Sequence, residues 1–259
     1  VAFSGILDKH DARRKDAVSE IAYQSERATL YLGDCMEVLP TLEKGSADLL
    51  VTDPPYGVSY QSGMRPDTFP QIIGDHDTSA ALSALALVPR VLLKHRHAYV
   101  FGFSAEQLST VLPMSSTAEL IWDKGEIGMG NLSLPWGSQH EKILFGAVYT
   151  SKAERAVGGG ALSARIRNGS IIRQNRKTGR GVKNHPTEKP VALLSQLVES
   201  SSRPGEVVLD PFMGSGSTCV AAILAGRKTV GIELDPGYTA TAVARVREAE
   251  RIRDLIEGM

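Results

Sequence analysis

Asp53-Pro54-Pro55-Tyr56 closes the stretch LLVTDPPY, where an apolar run gives way to a carboxylate, two prolines and a phenol. A residue that precedes proline is pushed toward an extended backbone, so Asp53 and Pro54 are both held straight. The tetrapeptide is a rigid bracket that fixes a carboxylate, a backbone carbonyl and an aromatic ring relative to one another. Its place after the strand-like run is where open α/β sheets carry ligand chemistry. Asp-Pro also simply ends strands, and a tyrosine after it can cover a core edge. Taken alone, the bracket leaves both readings open.

A second constellation lies in GEVVLDPFMGSGSTCVAAILAGRKTVGIELDP. A strand ends at Asp210, the turn Gly214-Ser215-Gly216-Ser217-Thr218 follows, and a helix leads to a second strand that closes on Glu233, with Asp235 just beyond. This is the βαβ unit of a nucleoside-cofactor site. Glycines let the backbone approach the ligand, and an acid about 20 residues on accepts from ribose hydroxyls. Gly214 and Glu233 are 19 residues apart. ATP is disfavoured, because no lysine precedes Ser217-Thr218 as a P-loop requires. The small Cys219 keeps a dinucleotide open, but a carboxylate at the strand tip would face its pyrophosphate. Asp210 instead suits a ligand with an ammonium group and no phosphate, which points to S-adenosylmethionine.

These residues need a scaffold of strand ends. Strand-like runs fall at 29–32, 47–52, 97–103, 118–122, 142–148, 207–209 and 229–232, and helix-like stretches at 79–93, 104–112, 191–201, 217–225 and 238–256. Strands alternating with helices predict an α/β fold with a mostly parallel sheet of seven strands, covered on both faces. The last helix carries an apolar stripe at Val243, Val246, Ala249, Ile252 and Ile256.

The 259 residues are 42% apolar and 22% charged, with net charge +0, as in ordinary globular proteins. That neutrality hides an asymmetry. Residues 151–183 hold nine basic side chains against one acidic one, Glu154, so this segment carries +8 and the remainder −8. A basic block in an acidic chain is a candidate footprint for a polyanion, although a solvated loop gives the same composition. No apolar run approaches the roughly 18 residues of a membrane span. The first residues lack the pattern of a secretory signal. Cys35 and Cys219 form no disulfide framework, and the histidines show no metal spacing. A cytoplasmic, reducing setting is expected. The chain divides into 1–27, an arm of no assignable role; 28–150, the catalytic part; 151–183, an inserted basic segment; and 184–259, the cofactor part.

DPPY at 53–56, DPFMGSGST at 210–218 and HPTEKP at 185–190 together resemble the amino-group DNA methyltransferases. The order, catalytic motif first and cofactor motif last, is similar to their β group, whose Rossmann-like S-adenosylmethionine-dependent fold is circularly permuted. The resemblance implies that Asp53 and the Pro54 carbonyl accept hydrogen bonds from an exocyclic base amine, that Pro55 stiffens them, and that Tyr56 stacks on a base flipped out of the duplex. It implies that Asp210 faces the methionine ammonium, that Phe212 packs beside the adenine or the reaction centre, and that Glu233 holds the ribose. It further implies that Asp53 itself borders the cofactor, together with Asp235. Asp34 resembles the family's adenine-side acid and equally reads as a helix N-cap. His185, Thr187 and Lys189 would line the methionine end, or merely start a helix. Trp122 and the pair His140-Glu141 resemble weaker motifs and could simply pack.

Within the basic segment Arg173, Arg176, Lys177 and Arg180 are candidate DNA contacts, and Arg65 is a candidate to close over the flipped base or touch phosphate. The resemblance also implies double-stranded DNA as partner and permits a homodimer. Asp53 favours adenine N6 as target, with cytosine N4 as the alternative. RNA methylation, a non-catalytic nucleic-acid-binding module and an NAD-dependent oxidoreductase are further readings, and the last leaves DPPY without a task.

Overall fold

The computed structural model describes residues 19–55, 78–127, 133, 135–149, 168–175 and 188–259. Nine strands form one sheet in the order β1-β2-β9-β8-β3-β4-β6-β5-β7. They are β1 (Glu20–Gln24), β2 (Ala28–Leu32), β3 (Ala47–Thr52), β4 (Leu92–Phe101), β5 (Met114–Asp123), β6 (His140–Val148), β7 (Ile171–Arg173), β8 (Val207–Asp210) and β9 (Lys228–Glu233). The five strands β2, β9, β8, β3 and β4 run parallel, whereas β6 is antiparallel to both β4 and β5.

The sheet exceeds the expected seven strands by its two margins. β1 (EIAYQ) is mostly exposed and carries no apolar run, so nothing in its composition announces a strand. It pairs antiparallel with β2, and Tyr23 Oη donates to Glu250 at 2.6 Å. β7 is three residues of the basic segment, paired parallel with β5.

The helices are α1 (Cys35–Val38), α2 (Thr78–Leu85), α3 (Val88–Val91), α4 (Ala105–Leu108), α5 (Val191–Ser201), α6 (Ser217–Leu224) and α7 (Pro236–Glu257). The single helix expected over 79–93 is instead α2, α3 and the start of β4. Pro89 opens α3, and β4 begins at Leu92 with a bulge against β3 around His95, whose φ is +59°. The helix expected over 104–112 stops at Leu108, although its start has a full capping box between Ser104 and Gln107.

β3 reads as a continuous apolar run because both its faces are covered. Leu50 packs with Val38, Leu85, Val91 and Leu108, so α1 to α4 cover one face. Leu49 and Val51 pack with Leu193, Leu197 and Ala222, so α5 and α6 cover the other. α7 adds Ala242, Val246 and Ala249 against Leu30 and Ile223. Burying each large side chain contributes about 1.5–3 kcal/mol. Among the described residues, no helix is long and apolar enough to cross a membrane.

Two crossovers diverge from the centre of the sheet. From β8 the chain passes through α6 to β9, and from β3 it passes through α2 and α3 to β4, in opposite directions along the sheet and over opposite faces. The carboxyl ends of β8 and β3 therefore border a topological switch point, where such sheets bind ligands.

Candidate active site

Parallel strands share one carboxyl edge, and four neighbouring strands each bring one acid to it. Asp34 follows β2, Glu233 ends β9, Asp210 ends β8 and Asp53 follows β3. β6, antiparallel to β4, reaches the same edge by its amino end, and β5, which runs with β4, reaches it by its carboxyl end, since Asp123 pairs with His140 and Phe101 with Ile143. Glu141 and Lys124 thus arrive beside Asp53.

Asp210 is 3% exposed. Its Oδ1 accepts from Thr52 Oγ1 at 2.8 Å and from the Phe212 N–H at 3.1 Å. Burial pushes its pKa up to about 6, against the opposing hydrogen bonds from Thr52 and Thr218. The turn after it needs left-handed backbone at Gly214 (φ +52°) and Gly216 (φ +80°), the residue that precedes α6. Ser215, Ser217 and Thr218 are buried. Arg245 of α7 braces the turn, donating to Ser215 O at 2.7 Å and to Ser217 Oγ at 3.2 Å while pairing with Glu188 at 2.9 Å.

Glu233 accepts from the Gly214 N–H at 2.9 Å and from the Asp235 N–H at 2.8 Å. Burial nonetheless pushes its pKa up to about 7. Asp34 caps α1 through the Met36 N–H at 2.8 Å, and Asp235 caps α7 through the Tyr238 N–H at 2.9 Å. Phe212 lies half-buried against the core face that carries α1 to α4.

At Asp53 the two carboxylate oxygens differ. Oδ2 is bonded by Lys189 Nζ, whereas Oδ1 is buried and has no hydrogen-bond partner among the described residues. Burial raises the Asp53 pKa, while the Lys189 charge and hydrogen bond oppose that rise. The Lys189 ammonium, a candidate for the methionine end, sits on Asp53, 3.3 Å from Glu141 Oε2 and 5.0 Å above the Phe101 ring. Pro54 is buried and Pro55 half-buried. Trp122 is 2% exposed, with Nε1 donating to Gln174 O at 2.7 Å, so it packs. Arg173, at the end of β7, is exposed beside Asp123. Tyr56, Arg65, Arg176, Lys177, Arg180, His185 and Thr187 lie outside the described residues.

Sequence reasoning missed Thr52, Lys124 and Arg245. The strand pattern placed Thr52 beside Asp53 but gave no sign of Asp210 across the sheet. Lys124 and Arg245 had no local signal.

The donor set along the edge decides what this crevice accepts. Four buried or half-buried carboxyl groups, Asp34, Glu233, Asp210 and Asp53, line this edge, and among the described residues the cation on the glycine turn, Arg245, is taken up by Ser215, Ser217 and Glu188. A pyrophosphate would meet like charge there, whereas a cationic ligand with ribose hydroxyls meets acceptors. The family model of the N6/N4 DNA methylases matches residues 47–244. The chain belongs to this family. Its members are DNA methyltransferases that act on adenine N6 or cytosine N4 and draw the methyl group from S-adenosylmethionine.

Two relatives come from Escherichia coli (strain K12). YubD, named as a methylase, is 31% identical over 85% of this chain and 90% of its own length. The DNA adenine methyltransferase YhdJ is 26% identical over 86% and 84%. Among solved structures, M1.HpyAVI in complex with S-adenosylmethionine superposes with a TM-score of 0.60 at 20% identity, covering 85% of this chain and 98% of that one. The cytosine-N4-specific PvuII DNA methyltransferase gives 0.66 at 15% identity, covering 92% and 95%. These structural likenesses establish the Rossmann-like methyltransferase fold.

Proposed function

We propose that the chain methylates adenine N6 at particular sites in duplex DNA, with Asp53 as the residue that holds the target amine. The observation that carries this reading is the asymmetry of the Asp53 carboxylate. A buried oxygen without a donor is costly, by about 1–3 kcal/mol. An amino group entering the crevice between β3 and β8 satisfies Oδ1 directly. The Pro54 carbonyl accepts the second amino hydrogen.

An exocyclic base amine is a poor nucleophile because its lone pair is delocalised into the ring. Two acceptors placed off the ring plane favour pyramidal geometry and turn that lone pair outward. S-adenosylmethionine, when bound, supplies an electrophilic methyl group on its sulfonium. The protein's contribution is alignment of the nitrogen with that methyl, and positioning of this kind accounts for much of such rate enhancements. Tyr56 stacks on the flipped base.

The residues along the carboxyl edge fit the cofactor. Asp210 faces the ammonium, Glu233 the ribose hydroxyls, and Phe212 the adenine or the reaction centre. Gly214, Ser215, Gly216, Ser217 and Thr218 form the turn that admits it, and Asp34 and Asp235 flank the nucleoside. His185 and Thr187 border the methionine end. The DNA lies against Arg173, Arg176, Lys177, Arg180 and Arg65. The adenine assignment draws support from Asp at position 53 and from the named activity of the relative YhdJ.

Nucleoside mass spectrometry of DNA incubated with labelled S-adenosylmethionine tests the reading. N6-methyladenine made by the wild type and not by Asp53→Ala is the expected result. N4-methylcytosine would overturn the base assignment and keep the mechanism. An Asp53→Ala variant as active as the wild type would overturn the role of Asp53.

A further inference from the structure

Four charged side chains from four segments form a line that begins at Asp53. Lys189, just before α5, sits on Asp53 Oδ2 and 3.3 Å from Glu141 Oε2. Glu141 Oε1, on β6, meets Lys124 Nζ, just past β5, at 2.5 Å. Signs alternate along the line. The two lysines are deeply buried, at 7% and 3% side-chain exposure. Aromatic faces carry both, Phe101 at 5.0 Å from Lys189 Nζ and Trp122 at 5.3 Å from Lys124 Nζ.

Such a line is not explained by stability alone. Removing several charges from water costs several kcal/mol each, and well-packed apolar side chains are often as stable. What the line does achieve is directional. It starts at Asp53, whose buried Oδ1 has no hydrogen-bond partner among the described residues, and it fixes which oxygen that is. Glu141 is held below its usual range although burial pushes it up, because the Lys189 charge and the Lys124 hydrogen bond outweigh burial. It is therefore an anion able to hold Lys189 in place.

We infer that Lys189, anchored by Glu141 and Lys124, is a positioning residue for methyl transfer: it pins Asp53 Oδ2 and thereby directs Oδ1 at the target amine. This rests on the reading of Asp53 given above. It differs from the role expected for Lys189 at the cofactor's methionine end, and the two roles separate experimentally. A lysine that serves the cofactor acts on its affinity. A lysine that serves Asp53 acts on turnover at saturation and on the proton affinity of the carboxylate.

Among the described residues, four charged or titratable groups face Asp53: Lys189 before α5, Glu141 on β6, Lys124 after β5 and Asp210 at the end of β8. Of these, the two lysines favour the Asp53 anion. A protonated Asp53 is a poorer acceptor for the amine, so the acid limb of turnover follows its ionisation. Loss of the Lys189 charge moves that limb to higher pH. Loss of the Glu141 charge does not, since Glu141 itself raises the Asp53 pKa; it costs turnover only by loosening Lys189.

The experiment measures kcat at saturating cofactor and DNA as a function of pH, together with S-adenosylmethionine affinity by calorimetry. The proteins are the full chain and its Lys189→Met, Lys189→Arg and Glu141→Gln variants, each checked for folding by circular dichroism. Lys189→Met is expected to lose about 10- to 100-fold in kcat, the worth of one hydrogen bond to a charged group. Its acid limb shifts upward and its cofactor affinity stays near that of the wild type. Lys189→Arg recovers much of the loss, and Glu141→Gln falls between without the upward shift.

A Lys189→Met deficit that lies wholly in cofactor affinity and vanishes at saturation would overturn the inference. Should Lys189→Met not fold, wild-type turnover in Glu141→Gln would overturn it instead. A wild type that methylates no DNA base sinks the parent reading and this one with it; an active wild type beside an unaffected Lys189→Met sinks this one alone.

Discussion

The Thr52 hydroxyl donates 2.8 Å to Asp210 Oδ1, so the last residue of β3 is tied to the last residue of β8 one position before Asp53. Asp53 and Asp210, which open the two motifs, are 157 residues apart in the chain, and the motifs meet through this bond. Thr52 is 1% exposed and Asp210 3%, so water cannot replace the donor. Thr52→Val keeps the shape and removes only the hydroxyl. It is expected to lower stability by about 1–3 kcal/mol, the cost of leaving a buried acceptor under-satisfied. The check is a urea titration, in which the midpoint falls and the slope stays constant. An unchanged midpoint would show that Phe212 and Thr218 satisfy Asp210 without Thr52.

Asp210 and Glu233 make the ligand-free protein sensitive to pH. Burial raises both, Asp210 to about 6 and Glu233 to about 7. A carboxyl group whose folded pKa lies above its unfolded value binds more protons when folded, so stability falls as pH rises between the two values. The window therefore runs from about pH 4, the unfolded carboxylate range, to the folded values just given. Asp210→Asn removes one of these groups. The variant is expected to be more stable than the wild type at pH 8, to show a shallower decline between pH 4 and 7, and to bind S-adenosylmethionine more weakly. Thermal unfolding across that range checks the first two outcomes and calorimetry the third. Equal slopes in both proteins would refute the assignment of the pH dependence to Asp210.

The central strands were legible in the sequence because their neighbours leave no exposed face. ADLLVT, VVLD and KTVGIE read as strands wherever they are placed. β4 was half-legible, since Lys94-His95-Arg96 interrupts its apolar pattern where the strand bulges. Asp34 reads equally as a cap and as a ligand contact, and its Oδ1 does cap α1; the two roles can use different oxygens, so the residue type alone does not choose between them. The Lys124–Glu141–Lys189 line was not legible at all. Lys124 and Glu141 come together because Trp122 pairs with Glu141 across β5 and β6, and strand register is not written in either residue.

Gly216 combines two constraints that one substitution can separate. Its φ of +80° disfavours any side chain, and a Cβ there would lie 2.8 Å from Ala242 Cβ on α7. Gly216→Ala is expected to destabilise the protein by about 1–3 kcal/mol through strained backbone, with the contact adding to it. Gly216→Ala combined with Ala242→Gly removes the contact and keeps the strain, at the added cost of a helical glycine of about 1 kcal/mol. Denaturant midpoints of the two single variants and the double variant give the coupling. Additive losses would mean that α7 moves away without penalty and that the backbone carries the whole effect.

Arg173 is the one proposed DNA contact among the described residues. It stands at 84% side-chain exposure, 3.5 Å from Asp123 at the same sheet edge as the candidate active site. An exposed pair at that distance holds its guanidinium weakly, so phosphate can compete for it. If Arg173 meets one phosphate, Arg173→Ala lowers the slope of log affinity against log salt concentration by about 0.9 and weakens cognate and unrelated duplexes alike. A base contact gives a different pattern: discrimination at one position of the site relaxes and the salt slope changes little. Fluorescence anisotropy at four salt concentrations, with a methylated-site duplex and a scrambled one, separates the two. Affinity and slope both unchanged would remove Arg173 from the DNA face.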